Sequence, residues 1–241
     1  MILNTGLLDY FFENTVPTLL YFACLFGVLI IAYLLGSVNS AILFSRIIYH
    51  EDIRTKGSGN AGMTNMLRTY GKNAALLTLA GDMGKTVLAL FIAALVFGFN
   101  YMAGISIGGH FGECYLAGLF AVLGHIFPVY YKFKGGKGVL VTSTMALVLS
   151  PIPFAILFLL FVLIVWISKY VSLGSISVAV LYPVLMQGYF AVVFGAIMPA
   201  FCALSTITLA IIIVYCHRTN IVRIGNRTEN KLSFGKKKRD E

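Results

Sequence analysis

A chain of 241 residues, 59% of them hydrophobic and 11% charged, is too apolar for an ordinary soluble domain and implies one integral membrane unit over 1–241. Its formal net charge of +9 does not indicate a nucleic-acid partner, because the basic tail "KKKRD" follows a membrane helix and serves there as a topology anchor beside anionic lipid. Cys24, Cys114, Cys202 and Cys216 form no CxxC pair and no His/Cys cluster, so they are taken as small core residues, and no disulfide framework, metal or cofactor is expected.

The residues before Pro17 include Asp9 and Glu13 but no Lys or Arg, whereas a signal peptide needs a basic start. The first apolar run is therefore expected to be a retained helix over 18–47, long enough to span with tilt. Polar islands "GSVNS" (36–40) and "KGSGNAGMTNMLRTYGK" (56–72) accompany and follow it. A second helix is expected over 74–97. It carries Asp82 and Lys85 at i, i+3, which should either neutralise each other or line a pocket floor, since an unpaired charge in the membrane is costly. A third helix over 113–131 runs into "GHIFPVYYKFKGGKG" (124–138). The following 78 residues, 139–216, carry one charge, Lys169.

Charge placement sets the expected topology. Of the 18 Lys and Arg residues, 16 lie in 45–73, 130–138 or the tail from His217, while 99–114 has none. By the positive-inside rule those three segments are cytoplasmic, and the N-terminus and 99–114 face outward. An even number of crossings must then separate residues 139 and 216. Four are expected: "SPIP" (150–153) breaks one helix from the next, Lys169 marks an inner turn, and the region of Gln187 and Gly188 an outer one. The expected fold is thus all-α, a polytopic bundle of about seven transmembrane helices. Residues 139–149 rise only about 16 Å as helix, short of the roughly 30 Å core, so that segment either thins the membrane or starts from a sunken site. Five crossings is the alternative.

With "KYVSLGS" (169–175) and "HRTNIVRIGNRTENK" (217–231), the polar islands gather on the inward side. Glycines let backbone N–H groups approach an oxyanion, a neighbouring Lys adds charge, and "GGKGV" opening a helix places donors at its N-terminus. "SGNAGMTN" before Arg68 adds hydroxyls, amides and a bidentate cation, the mixture a phosphorylated substrate needs. Neither loop is a Walker A motif. Leu79 stands where "GDMGKT" (81–86) needs its first glycine, Tyr131 where "FKGGKGV" does, and Gly138 follows Lys137. Nucleotide binding is not expected.

The order and wording of these islands resemble the bacterial acyl-phosphate:glycerol-3-phosphate acyltransferases, the PlsY family. GSGNPGATNxxR is matched by Gly57 to Asn65 with Arg68. GHxFPVxxxFKGGKGVAT is matched by Gly124 to Val129 and Phe133 to Val139. A Ser-bearing turn plus HRxNIxRLxxGTExK is matched by Ser172, Gly174 and Ser175, and by His217 to Lys231. The likeness spans roughly 30–232. Ala61 replaces the usual proline, Met63 the usual alanine, Leu140 and Val141 the usual Ala-Thr, and Arg227 a common glycine.

The resemblance implies acyl transfer from acyl phosphate to the sn-1 hydroxyl of glycerol 3-phosphate in phospholipid synthesis. The partners implied are these two substrates and membrane lipid, at the cytoplasmic face of the inner membrane. Acyl phosphate carries a good leaving group, so positioning and charge stabilisation suffice for catalysis. The histidine–aspartate pair of soluble-type acyltransferases, five residues apart, is absent: Thr55, Tyr115, Tyr130 and Val222 follow the four histidines at that spacing. The proton acceptor is therefore either the donor's phosphate or His217. Lys137 and Arg68 are the leading phosphate contacts, with Asn60, Asn65, Gly135, Gly136 and Gly138 beside them. Ser58, Ser172 and Ser175 are hydroxyl donors to phosphate or turn-formers, Ser58 being grouped with the catalytic candidates. His217 and Asn220, at i, i+3, would share one helical face. Glu229 is expected to order the tail by pairing with a cation, and His125 to be structural. An organic-phosphate transporter is the rival reading, although transporters place sites near the midplane between repeats and no repeat is visible.

Overall fold

The computed structural model describes residues 7, 8, 11, 16–98 and 111–232. The expectations for most of the N-terminal segment, for 99–110 and for the basic tail from 233 lie outside these residues. Among the described residues every regular element is helical. The α-helices with bounds among the described residues are α1 (Thr18–Ser37), α2 (Ser40–Tyr49), α3 (Met63–Tyr70), α4 (Lys72–Phe97), α5 (Phe111–Ile126), α6 (Val139–Leu149), α7 (Pro151–Ser168), α8 (Val171–Phe194), α9 (Ala200–Cys216) and α10 (Arg218–Gly225).

Small residues set the closest crossing. A Cβ on Gly36 would stand 2.1 Å from the Ala121 carbonyl oxygen, and one on Gly124 would stand 2.2 Å from that of Tyr33. α1 and α5 thus meet nearly backbone to backbone, the packing membrane helices use where lipid offers no hydrophobic drive to associate. α4 packs on α1, α5 and α6, α9 bridges α5 and α8, and α7 packs on α8. Tyr115, Met145, Met186 and Leu209 are buried at the centre, whereas Leu159, Trp166 and Val192 expose most of their surface outward. Such a large exposed apolar surface is what a bilayer covers.

Five stretches are long and apolar enough to cross a membrane: Thr18–Tyr49, Lys72–Phe97, Gly112–Tyr131, Pro151–Ser168 and Val171–Phe194. The pair α9 and α10, bent by 55°, makes a possible sixth. The difference from about seven is α6, whose 11 residues are too few. Two further expectations change. The single helix over 18–47 is broken at Val38 and Asn39, where Asn39 accepts from the Ile42 amide and so caps α2. The outer turn near Gln187 and Gly188 falls instead at 195–199, because α8 continues through Gly188 to Phe194. Gln187 still serves that turn, accepting from the Met198 amide at 3.3 Å.

Candidate active site

One cavity of about 670 Å³ opens between the loop before α3, the start of α6, the flank of α7 and α8, and the α9–α10 bend. It takes in most of the residues singled out in the sequence: Ser58, Asn60, Asn65, Arg68, Lys137, Gly138, Ser172, Ser175, His217, Asn220 and Glu229 all line it. Its walls are of two kinds: the loops contribute cations and amides, and α7 contributes Phe154, Leu157, Phe158 and Phe161. That is the shape for a molecule with an anionic head and a hydrocarbon tail.

The first loop is organised by Asn65, which is buried. Its Oδ1 accepts from the Ser58 amide at 3.0 Å, and its Nδ2 lies 3.0–3.2 Å from the carbonyl oxygens of Ile53, Lys56 and Asn60. With its amide committed to the loop backbone, Asn65 shapes the site rather than offering a free donor to substrate. Ser58 and Arg68 are exposed at the mouth. Arg54 clamps this loop to the next: Asp52 receives its Nε and Nη2 at 3.0 and 2.7 Å, while Nη1 donates to the carbonyls of Tyr131 and Lys134 at 3.0 and 2.9 Å. The Arg54 and Arg46 guanidiniums hold the Asp52 carboxyl well below the usual range against the opposing effect of its burial.

Gly135 and Gly136 have a task different from the expected phosphate contact. Their amides donate inward, to Ile126 O at 3.0 Å and His125 O at 3.1 Å, and neither residue lines the cavity. They are glycines for packing: a Cβ on Gly136 would lie 2.1 Å from His125 Nε2 and 2.6 Å from Ala61 O. Gly138 does face the cavity and holds φ +78°, a conformation that favours glycine, as the N-cap of α6. Beneath this loop Lys85 Nζ lies 2.8 Å from Asp82 Oδ1, donates to Val38 O at 2.7 Å and sits 3.1 Å from His125 Nδ1. An ammonium only donates, so Nδ1 of a neutral His125 holds the lone pair. Asp82 and Lys85 therefore neutralise each other as expected, and Asp82 also lines the floor; Lys85 further closes the break between α1 and α2.

Lys137 Nζ donates to Asn220 Oδ1, and Asn220 Nδ2 donates to Glu229 Oε1 at 2.8 Å. Glu229 also accepts from Ser172 Oγ at 3.0 Å and from Arg223 Nε at 2.8 Å, the cation pairing expected of it. Burial draws the Lys137 ammonium down to about 8, with Glu229 opposing and Arg223 assisting. Ser175 Oγ donates to Val171 O at 2.9 Å, so both serine hydroxyls of this turn are committed within the protein. His217 is buried at the α9–α10 bend, with Nδ1 2.8 Å from Ile213 O. A carbonyl only accepts, so Nδ1 carries the proton and the lone pair is on Nε2. The tail returns to the α7–α8 turn, where the Leu232 amide donates to Lys169 O at 2.7 Å.

Sequence reasoning passed over Arg223 and Thr142. Arg223 continues the 217, 220 spacing by three and also lines the cavity, so helical periodicity carried its signal. Nothing in the sequence distinguished Thr142 from other helical threonines.

The sequence model for "Glycerol-3-phosphate acyltransferase" matches residues 26–227. The chain belongs to this family. A glycerol-3-phosphate acyltransferase of Syntrophomonas wolfei is 39% identical over 211 residues, covering 86% of this chain and 96% of the relative. That of Bacillus subtilis is 35% identical over 207 residues, with 86% and 96% covered. Among solved structures, the glycerol 3-phosphate form of PlsY (YgiH), an integral membrane glycerol 3-phosphate acyltransferase, superposes with a TM-score of 0.73 at 31% identity, covering 87% of this chain and 96% of that one. Its lysophosphatidic acid form gives 0.70 at 30% identity, with 87% and 95% covered. Residues from the polar islands 56–72, 124–138, 169–175 and 217–231 meet in one cavity.

Proposed function

We propose that this acyltransferase moves a fatty acyl group from acyl phosphate to the sn-1 hydroxyl of glycerol 3-phosphate, releasing lysophosphatidate and inorganic phosphate. The observation that supports the reading best is the continuous cavity, cationic at Arg68, Lys137 and Arg223 and apolar along α7. Both substrates carry phosphate, and one brings a hydrocarbon chain. Relatives carry the acyltransferase name, and PlsY was solved in forms with glycerol 3-phosphate and lysophosphatidic acid.

In this reading the hydroxyl oxygen of glycerol 3-phosphate bonds to the carbonyl carbon, the anhydride C–O bond to phosphate breaks, and the hydroxyl proton is taken up. Two acceptors suit that proton: a phosphate oxygen of the donor itself and Nε2 of His217. Lys137 and Arg68 hold phosphate oxygens, Arg68 as a bidentate fork. Asn220 positions Lys137, and Glu229 positions Asn220. Gly138 and the first-turn amides of α6, which lack intrahelical partners, add donors to the anion. Ser58 and Asn60 contribute from the rim. The cations of these loops support a site on the cytoplasmic face of the inner membrane.

The deciding experiment gives purified protein in detergent glycerol 3-phosphate together with acyl phosphate, acyl-CoA or acyl carrier protein in turn. Lysophosphatidate and phosphate are expected from acyl phosphate. No product from any donor would return the chain to the transporter reading, and product from acyl-CoA alone would move the donor assignment.

A further inference from the structure

We propose that Thr142 is a further substrate-positioning residue, whose hydroxyl donates a hydrogen bond to the carbonyl oxygen of the acyl donor. The assignment rests on the acyltransferase reading above and names a contact within it.

Five threonines are buried among the described residues. Thr78, Thr86, Thr144 and Thr206 each donate their hydroxyl to the carbonyl four residues back, at 2.8, 2.7, 2.9 and 2.9 Å. Thr142 does not. Gly138 O stands at the equivalent position and takes the Thr142 amide at 2.9 Å, yet the Thr142 hydroxyl has no partner in the protein. The residue is 8% exposed and lines the cavity, with its hydroxyl oxygen itself enclosed, so that a turn about χ1 is needed to present it to a ligand. A buried hydroxyl left unpaired is unfavourable, so this one works against local stability where the back-bonding of its neighbours was available to it. Threonine has two χ1 wells open to it in a helix, so a ligand atom in the cavity competes directly with the helix for this donor.

Its place along the cavity says which atom that is. Gly138, Thr142 and Ala146 are four residues apart and form one row on α6, each about 6 Å beyond the last. Gly138 adjoins Lys137 at the anionic end. Ala146 and Phe154 each lie one turn from Ser150, at the far, apolar end of α6, and both line the cavity. Thr142 therefore stands at the junction of the two environments. Acyl phosphate has the same order along its length: phosphate, carbonyl, methylenes. The group at the junction is the carbonyl, whose oxygen only accepts. As the glycerol hydroxyl oxygen bonds to the carbonyl carbon, negative charge builds on that oxygen before the bond to phosphate breaks, so a fixed donor gains strength in the transition state. Thr142 keeps its proton throughout; the hydroxyl proton of glycerol 3-phosphate leaves as before, to phosphate or His217.

The test compares Thr142→Val, which keeps the β-branched shape and removes the donor, with Thr142→Ser, which keeps the donor. Purified variants in detergent are assayed with palmitoyl phosphate varied at saturating glycerol 3-phosphate, then the reverse, and each is melted thermally. Thr142→Val should lose about one to two decades in kcat/KM for palmitoyl phosphate, with KM for glycerol 3-phosphate unchanged. Its melting midpoint should be equal to or above that of the wild type, because no bond within the protein is lost. Thr142→Ser should stay within about threefold of the wild type. Wild-type kcat/KM in Thr142→Val overturns the proposal, as does an equal loss in the serine variant, which would make shape the cause. A lowered midpoint with parallel losses toward both substrates assigns the residue to the fold and overturns it too. If the wild type itself fails to acylate glycerol 3-phosphate from palmitoyl phosphate, the acyltransferase reading falls first and takes this contact with it.

Discussion

Raising the pH from 7 to 9 should switch off the glycine-loop cation while leaving the fold intact. Burial lowers the Lys137 ammonium from 10.5 to about 8. The charged fraction then falls from about nine-tenths at pH 7 to about one-tenth at pH 9. If the charged form is what holds phosphate, kcat/KM should drop about tenfold across that interval, because kcat/KM reports the free enzyme. The kcat profile should break at higher pH, since a bound phosphate favours the charged lysine. Stability follows the opposite sign. The folded state binds fewer protons than the unfolded chain between about 8 and 10.5, so this group's contribution to stability improves as pH rises through that window. Loss of activity at pH 9 without loss of thermal stability is the expected signature. Lys137→Arg stays charged throughout and should flatten the alkaline limb, whatever its absolute rate. Lys137→Met removes a charge-assisted hydrogen bond worth about 1.5–3 kcal/mol, or one to two decades in kcat/KM at pH 7. Initial rates at four or five pH values with varied glycerol 3-phosphate suffice. A flat wild-type profile between pH 7 and 9, or a limb that persists in Lys137→Arg, would refute the reasoning.

Three further outcomes are expected. Gly136→Ala drives a Cβ to within 2.1 Å of His125 Nε2 and 2.6 Å of Ala61 O, so it should destabilise the protein by about 1–3 kcal/mol, seen as a lower melting midpoint in detergent; an unchanged midpoint would contradict the packing role. Arg68→Lys keeps the charge and loses the fork, and should cut kcat/KM by about tenfold or more with normal insertion, whereas near-normal turnover would reduce Arg68 to a topology residue. A reporter fused after Glu241 should be active on the cytoplasmic side, because 16 of 18 cations lie in segments assigned there; activity only outside the cell would overturn the orientation.

The membrane class and the gathering of the functional residues were legible in the sequence. Uncharged runs of adequate length fix where a helix must lie in hydrocarbon, and residue types such as Lys137, Arg68, His217 and Asn220 declare anion chemistry wherever they meet. The i, i+3 spacing of His217 and Asn220, and that of Asp82 and Lys85, brought the expected pairs to one place because helical geometry is local. What the sequence left open depends on partners far along the chain. "GGKG" reads as phosphate-binding until the inward amides of Gly135 and Gly136, facing Ile126 and His125, show two glycines serving close packing. Thr142 and Thr144, two residues apart, are alike in sequence and both line the cavity; only packing decides that the Thr144 hydroxyl bonds its own helix and that of Thr142 is left without a protein partner. The turn near Gln187 moved to 195–199 because a polar residue within a helix can satisfy a neighbouring turn instead of ending its own helix. Spacing fixes what a residue is able to do, and the tertiary contacts of its backbone and side chain decide which of those things it does.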